Sequence, residues 1–371
     1  MKNLISALIV LFSINAFATK ARLQALSNSG HLVDTQSIYA NPLDIMTLKN
    51  FITFESGSTA ATSSTDNAEG SISYGLNDRM QLAVSLGHVD DAIMGARSLI
   101  NTTLGTTYVT PQNPIHLFYG YKGADMTFAF GISNSNKNDK QNDLKENSTL
   151  VSFGVLQGSL QVYAVYSLVN SVDAAGGKKF DGSGYANLAG RYTLDTMTLG
   201  LDYYAAKARS STNGVEDISD SYQAIAGNLV DVRTKDGSDY FYGAQVISSS
   251  LKNVTSGKDL KRTTLPVWFG IEAKGAEFLT IRGSIQQTML VAQAKDEAGF
   301  TAGGGYLAGA TGAVSDFTSE PGNTTAAFGL GFNYNNINVD GTLKGLIGTT
   351  AVNQRVDQNN FLSQVGMTYI Y

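Results

Sequence analysis

Few residues in this chain have the types and spacing that catalysis requires. The sequence contains three histidines and no cysteine, and only His88 lies beside carboxylates, at Asp90 and Asp91. A histidine next to an aspartate can activate water as a general base, but adjacent aspartates are more typical of a solvated turn. No nucleophile elbow, zinc spacing or calcium-loop spacing occurs. The sequence therefore predicts that the protein is not an enzyme and has no catalytic residue, cofactor or metal.

A second group of residues could act on ions rather than on bonds. Charges of both signs fall on the polar side of a two-residue alternation, and we expect them to face a lumen. The predicted lumen-facing charges are Arg79, Lys122, Arg191, Asp202, Glu272, Arg282, Asp340 and Lys344. Opposite charges along a water-filled passage tune which ions pass, as rings of charge do in channels. The alternative is that they form salt bridges in the wall without an effect on transport.

Short turns bring two pairs of these charges together. The predicted registers place Arg191 diagonal to Asp202, and Glu272 diagonal to Arg282. Diagonal neighbours on one face of a sheet lie within reach of long side chains. We therefore expect these two pairs to interact across neighbouring strands.

The elements that must position these residues are strands. From residue 48 onward apolar residues alternate with small or polar ones, as at Met80, Leu82, Val84 and Leu86. Tight turns alternate with longer polar stretches, which is typical of a transmembrane barrel with short periplasmic turns and long extracellular loops. We count sixteen strands, with fourteen as the alternative, and 222–233 is the weakest of them. The predicted fold class is an all-β, transmembrane antiparallel β-barrel.

Two of the long stretches are candidates to narrow the lumen. The stretch 134–147 is mixed in charge and occupies the position of the inward-folded loop of general porins, but it does not match their Pro-Glu-Phe-Gly-Gly type sequence. The longest stretch, 289–323, contains a neutral, glycine-rich run at 303–309 that could pack against the wall. A surface loop is the alternative for this stretch.

Composition and the N-terminus indicate export. Lys2 precedes an apolar run from Leu4 to Phe12 and a small-residue cleavage site at Ala16-Phe17-Ala18, so 1–18 is predicted to be a signal peptide. With no cysteine, disulfides and attachment as a lipoprotein are excluded. The net charge of −5 gives no footprint for nucleic acid. No apolar run approaches the roughly 20 residues of a membrane helix.

The C-terminal strand has a recognisable pattern. Gln364, Gly366, Tyr369 and Tyr371 provide a polar residue, a glycine, a hydrophobic residue and a terminal aromatic at fixed spacing. The pattern resembles the C-terminal assembly signal of Gram-negative outer-membrane barrels, with Tyr in place of Phe or Trp at the end. The resemblance implies recognition by the barrel-assembly machinery and an outer-membrane location in contact with lipid. We expect this strand to close the barrel against 48–57, since lipid tolerates no open sheet edge.

The segment 19–47 precedes the barrel, which is predicted to span 48–371. Its sequences Ala21-Arg22-Leu23-Gln24-Ala25-Leu26 and Ile38-Tyr39-Ala40-Asn41-Pro42, together with Asp34, resemble the N-terminal hatch of the long-chain fatty-acid transporter family, although Leu43 replaces the small residue that follows Pro there. The resemblance implies a plug in the lumen and passage of hydrophobic ligands sideways. The alternative is a periplasmic N-terminal lead-in or a partial plug.

These observations favour a porin that allows passive diffusion of small hydrophilic solutes and ions. Resemblance to general porins implies a homotrimer. One alternative is the fatty-acid-transporter-like barrel with its hatch, and another is a structural or adhesive barrel that acts through its loops. Removal of 19–47 distinguishes the first two, because only a plugged barrel opens when the segment is deleted.

Overall fold

The computed structural model describes residues 19–48, 50–57, 68–90, 92–93, 96–97, 111, 114–141, 143–253, 257–296, 324–347 and 364–371. Within this part, the chain forms one antiparallel sheet that closes on itself. The strands are β1 (Phe51–Gly57), β2 (Glu69–Asn77), β3 (Met80–Leu86), β4 (Ile115–Lys122), β5 (Thr127–Asp139), β6 (Leu144–Gln157), β7 (Leu160–Ala174), β8 (Lys178–Asp181), β9 (Ala186–Leu194), β10 (Met197–Thr212), β11 (Val215–Lys235), β12 (Ser238–Asn253), β13 (Lys258–Ala276), β14 (Leu279–Asp296), β15 (Thr324–Tyr334), β16 (Ile337–Ile347) and β17 (Gln364–Ile370).

The described strands occupy sixteen positions around the barrel, because β8 and β9 share one place between β7 and β10. The barrel closes where β1 pairs with β17, from Phe51 opposite Ile370 to Gly57 opposite Gln364. The predicted sixteen-stranded antiparallel barrel is confirmed. The weakest predicted strand, 222–233, lies within β11.

Side chains alternate between the two faces of the wall. In β17, Val365, Met367 and Tyr369 are exposed on the outside, whereas Gln364 and Thr368 are buried inside. Apolar residues also face outward on the other strands, as expected for a wall that meets lipid, whereas the inner face is polar or small near the closure and partly apolar on β6 to β12. Among the described residues no helix has the length and apolarity needed to cross a membrane.

Strands β10 to β14 are longer than a bilayer requires. They contain 16, 21, 16, 19 and 18 residues, against roughly 9–11 for a membrane-spanning strand. Because the short turns mark the periplasmic end, the excess length extends the wall on the extracellular side.

The N-terminal residues 19–48 lie inside the barrel, and we call this segment the plug. It contains the short helix α1 (Lys20–Ala25) and the 3-10 helices η1 (Ser37–Tyr39) and η2 (Pro42–Met46). Helix α1 packs against β14 to β17, and η2 packs against β3 to β6. The plug therefore reaches wall strands on opposite sides of the lumen.

Local hydrogen bonds explain how the plug turns without regular structure. The Asp34 carboxylate accepts the backbone N–H groups of Gln36 and Ser37 at 2.8 and 2.9 Å. The Asn41 side chain accepts the N–H of Leu43 at 3.2 Å, and Pro42 occupies the first helical position. These are the residue types that favour turns and helix starts.

The predicted loops need two corrections. The stretch 134–147 is mainly strand, because β5 and β6 continue beyond the membrane into water, where both faces can be polar. In the stretch 289–323, residues 289–296 belong to β14, and 297–323 lie outside the described residues. Inward residues occur elsewhere, at 92–93 and 96–97, where Ile93 and Arg97 are almost fully buried.

Candidate functional site

A chain of ion pairs joins the plug to the wall. Arg22 of the plug donates to Glu272 of β13, with 2.6 Å between Nε and Oε2. Arg282 of β14 donates to the same Oε2 at 3.0 Å and to Asp340 of β16 at 2.5 Å. The Thr19 hydroxyl donates to Asp340 at 3.4 Å. Three of the predicted lumen-facing charges therefore contact one another, and two of them contact the plug.

A second polar contact lies on the opposite side of the closure. Glu55 of β1 and Glu69 of β2 face each other in register. The backbone N–H of Lys20 donates to Glu55 at 2.7 Å, and Lys20 Nζ lies 2.6 Å from Glu69 Oε2. The side-chain amide of Gln36 donates to both carboxylates. The plug thus supplies the donors that two facing, buried carboxylates require.

Tyr39 extends this contact to the histidines. Its hydroxyl lies 3.2 and 2.5 Å from those of Ser71 and Ser85, and its ring stacks on His88 at a centroid distance of 3.4 Å. His88 Nδ1 in turn lies 3.0 Å from Glu69. His88 therefore contributes to the seat of the plug.

Asp90 does not pair with His88. Its carboxylate accepts from the Ser133 hydroxyl at 2.7 Å and lies 3.8 Å from His116, whereas Asp91 lies outside the described residues. No group of His, Asp and Glu within the described part has the arrangement of a metal site.

Apolar contacts hold the plug at two further places. Leu26 and Leu32 pack in one cluster with Phe241 and Trp268 of the wall. On the other side, the cluster contains Leu43 and Ile45 of the plug with Phe51, Ala83, Phe118 and Ala129 of the wall. Burying a leucine or isoleucine contributes roughly 1.5–3 kcal/mol. These apolar contacts therefore stabilise the plug in addition to the ion pairs.

Glycines on the inner wall allow the plug to approach closely. A Cβ atom at Gly154 would lie 2.7 Å from Cγ of Leu43, and one at Gly329 would lie 2.6 Å from Cβ of Ala25. Gly366, predicted from sequence as part of the assembly signal, lies against Thr19 in the same way. Only the absence of a side chain at these positions leaves room for the plug.

Burial changes the ionisation of the plug itself. Loss of water raises the pKa of Asp34 to about 7 and that of Asp44 to about 6. For His31, loss of water and the nearby Arg22 lower the pKa to about 3. Charged forms of all three residues therefore oppose the docked arrangement.

A second segment enters the lumen from the extracellular side. Arg97, between β3 and β4, forms an ion pair with Glu146 of β6 at 2.8 Å, and both side chains are fully buried. Arg97 also donates to Asn170 at 2.9 Å, whose amide donates to the Ile93 carbonyl at 3.1 Å. The described residues 92–93 and 96–97 are thereby fixed against β6 and β7.

The inner wall near this segment is apolar. Inward-facing residues of β6 to β12 and of the connection before β9 form one buried cluster with Ile93 and Ala96. Its larger wall members are Leu150, Val165, Val172, Phe180, Tyr185, Tyr204, Tyr222, Ile247 and Leu251. The sequence prediction of a polar inner face does not hold for this sector, because aliphatic and aromatic residues also occupy inward positions there.

The remaining predicted charges occupy different surroundings. Arg191 lies opposite Gly200 and places its guanidinium 5.2 Å from the ring centre of Tyr163. Asp202, on the same inner face, accepts from Asn228 at 2.9 Å. Because Arg191 and Asp202 are diagonal in this register, the predicted register holds.

Glu272, in contrast, lies directly opposite Arg282 rather than diagonal to it, because the turn lies at 277–278 and a bulge between Lys274 and Ala276 shifts the register. Arg79 and Lys122 are exposed beside the short turns at the periplasmic end. The Lys344 side chain lies outside the described part of the structure.

The C-terminal residues divide between the two faces. Gln364 and Gly366 point into the barrel, whereas Tyr369 and Tyr371 are exposed outside with their ring centres 6.3 Å apart. The Tyr371 hydroxyl donates to the Ser73 carbonyl at 3.0 Å. Aromatic residues at this level are typical of the membrane interface.

Sequence reasoning missed the plug residues that make these contacts, namely Lys20, Arg22, Gln36 and Tyr39. It also missed the Arg97–Glu146 pair. A signal was available for the first set, since the hatch-like segment carries cations before an acidic β1 and β2. For Arg97 we find no sequence pattern that indicates burial.

The comparisons with known proteins concern the fold. No protein-family model and no curated protein matches the sequence. Among solved structures, the CymD monoaromatic hydrocarbon channel is similar at 11% identity over 95% of this chain and 97% of that chain, with a TM-score of 0.43. The outer-membrane protein OmpT of Vibrio cholerae is similar at 12% identity, 87% and 97% coverage and a TM-score of 0.38. A bacterial polysaccharide outer-membrane secretin is similar at 8% identity over 87% of this chain and 98% of that chain, with a TM-score of 0.45.

These values carry no assignment of activity. Location follows from the architecture: a closed, sixteen-stranded antiparallel barrel with an apolar outer band is the form in which strands span a membrane. The protein is an outer-membrane β-barrel of a Gram-negative bacterium.

Proposed function

We propose that the protein is a gated channel for small hydrophobic solutes, closed by the plug at 19–48. The observation that carries this proposal is the plug's position across the lumen, where it contacts β1 and β2 through Lys20, β13 through Arg22 and β3 to β6 through η2. A solute passes only when the plug moves.

The solute class follows from the inner wall. The cluster around Tyr204, Tyr222 and Ile247 is aliphatic and aromatic, and Ile93 and Ala96 cover it. A solute reaches this apolar surface when the residues at 92–93 and 96–97 move aside. Transfer of a hydrophobic solute from water to such a surface is favourable by about 25 cal/mol per Å² of apolar area. Diffusion of hydrophilic solutes through an open pore does not require an apolar sector of this size in the lumen.

Diffusion of small hydrophilic solutes is the second candidate. The inner faces of the strands beside the closure favour it, because they carry hydroxyl groups: Thr53, Ser71, Ser73, Ser85, Thr325, Thr342 and Thr368. For this function the plug narrows the path through the lumen without closing it, so ions pass without any movement of the plug. The protein would then form a homotrimer, as general porins do.

A disulfide lock tests plug movement. Ser27 of the plug and Ser284 of β14 have their hydroxyl oxygens 2.8 Å apart, and the native chain contains no cysteine. We expect S27C/S284C to link under oxidation and to abolish solute entry, with recovery on reduction. The matched control is T53C/T368C, where the hydroxyls are 3.1 Å apart across the β1–β17 closure and neither belongs to the plug.

Bromobenzene provides the readout for hydrophobic entry, because it quenches the single tryptophan, Trp268, which lies inside the barrel. Single-channel conductance in potassium chloride provides the readout for ions. Quenching that falls only in the oxidised S27C/S284C protein supports the gated channel. Conductance that is high and equal in the locked and unlocked proteins contradicts it and supports the diffusion pore.

A further inference from the structure

The outer face of β10 to β13 carries a group of cations above its apolar band. They are Lys207 and Arg209 of β10, Lys252 of β12 and Lys261 of β13, and we call them the basic patch. All four are exposed. Among the described residues, none of the four forms an ion pair, although Asp181 lies opposite Arg209 and Asp259 opposite Lys252 in the strand register.

The level of the patch can be read along each strand. Lys207 lies four residues beyond Tyr203, and Lys261 lies four residues beyond Leu265, the last large outward apolar residues on their strands at this end. At about 3.3 Å per residue and a tilt of about 40°, this is roughly 10 Å above the hydrocarbon edge. Since every connection at the other end is a short turn, whereas the long connections 58–68 and 87–114 lie at this end, the patch is in the outer leaflet at headgroup level.

The patch is spaced for a bound phosphate. Lys207, Ser221 and Lys252 are neighbours in one register row across β10, β11 and β12. Strands are about 4.8 Å apart, so the two lysines rise roughly 10 Å apart on either side of a serine hydroxyl. Long lysine side chains can converge on a group over Ser221, and ammonium groups form short, charge-assisted hydrogen bonds to phosphate.

The outward cations at this end are concentrated in one sector of the described wall. Lys179 of β8 adjoins this sector opposite Ser211, and Lys145 of β6 lies outside it, opposite Asp173. On β5, the residues outward and beyond Ile132 at the same end are neutral: Asn134, Asn136 and Asn138. A general requirement for charge at the membrane surface would place cations all round the barrel. Concentration on β10 to β13 instead favours a specific anionic partner there.

We propose that the basic patch binds the phosphate groups of a phosphorylated glycolipid of the outer leaflet, of the lipid A type. The glycolipid sits against the outside of β10 to β13, with its acyl chains on the apolar band and its phosphates between Lys207, Lys252 and Lys261. This inference depends on the membrane location and not on which solute the lumen passes.

The test measures retained glycolipid on the folded, full-length protein. Purified protein in neutral detergent is titrated with bis-phosphorylated lipid A, and bound lipid is counted by native mass spectrometry. The variant K207Q/K252Q/K261Q is expected to bind on the order of 100-fold more weakly, since each cation near an anionic lipid contributes about fivefold. The variant K207R/K252R/K261R keeps the charge and is expected to bind as the native protein does.

The matched control is K140Q/K145Q/K235Q, which removes the same charge from exposed lysines outside the patch. Retained binding in the control together with loss in the patch variant supports the proposal. Equal binding by the patch variant and the native protein overturns it, and so does equal loss in the control. Heat-dependent electrophoretic mobility verifies that each variant is a folded barrel before binding is scored.

Discussion

Arg22 and Glu272 are 250 positions apart in the sequence, yet Nε of one lies 2.6 Å from Oε2 of the other. Both side chains are mostly buried, at 13% and 14% exposure. Removing Arg22 leaves Glu272 paired with Arg282 and removes two hydrogen bonds between charged groups, at a cost of roughly 3 kcal/mol. We expect R22M to shift the plug toward release by about 100-fold, measured as more frequent open events in single-channel recordings.

The control for R22M is R233M, because Arg233 is exposed at 62% and pairs with Asp231 on the outer face, away from the plug. Similar opening in both variants would show that loss of any arginine disturbs the barrel. Opening confined to R22M assigns the effect to the plug contact.

A methyl group added at Gly329 would destabilise the docked plug and leave the released plug unaffected. In G329A the new Cβ meets Ala25 at 2.6 Å, and neither atom belongs to a flexible side chain. Overpacking of this kind costs about 1–3 kcal/mol, so α1 is expected to dock less tightly and conductance to rise. Gly227 is the control: it faces outward, a Cβ there meets nothing within 4 Å, and G227A is expected to leave conductance unchanged.

Trp268 reports plug docking without a label. Its indole N–H donates to the Ser29 hydroxyl at 3.0 Å, and its ring packs against Leu26 and Leu32. Deletion of 19–48 exposes the ring to lumen water, so we expect the emission maximum to move to longer wavelength and iodide quenching to increase. Unchanged emission in the deleted protein would contradict the packing described for the plug.

Asp34 makes docking sensitive to pH. Its pKa rises from an ordinary value of 3.8 to about 7 when the plug is docked, so between these values the docked state holds a proton that the released state has lost. Stability of the docked state therefore falls as pH rises from about 4 to about 7. Asp44, whose pKa is raised to about 6, acts in the same direction. We expect D34N to dock more tightly than the native plug at pH 7.5, measured by Trp268 emission.

His31 changes the pH dependence of plug docking in the opposite direction to Asp34. Because burial lowers its pKa from 6.5 to about 3, the released segment takes up a proton below pH 6.5 that the docked segment does not. Docking therefore weakens as pH falls through this window. In D34N we expect this acid-side release to dominate between pH 4 and 6.5, and H31N in the same background to remove it. A flat response in D34N would contradict the lowered pKa of the half-buried His31.

The wall was predictable because one physical requirement acts on every strand. Contact with lipid requires apolar residues at alternate positions of a strand. The outward face of Met80, Leu82, Val84 and Leu86 can therefore be predicted without knowledge of the neighbouring strands. Turn residues fix the register locally, which is why the Arg191–Gly200 pairing could be obtained from the chain alone. After Lys274 the turn lies later than predicted and a bulge follows, so the same counting is wrong by two residues at Glu272.

The contents of the lumen follow no such uniform rule. Arg97 is buried because Glu146 and Asn170 meet it from other strands, and a single sequence does not record which distant carboxylate an arginine will find. The plug posed the same difficulty, since its amphipathic residues fit a lead-in as well as a lumen. Its wall glycines became meaningful only once their partners were known.

The first two residues of the plug have a consequence for the order of assembly. Thr19 lies against β16 and β17, while Lys20 contacts β1 and β2. The binding site for these two residues thus consists of the first two strands of the wall and the last two. It is incomplete until the last strand has paired with the first. An unfinished barrel cannot accept its plug, so docking is the final event of folding and marks a completed ring.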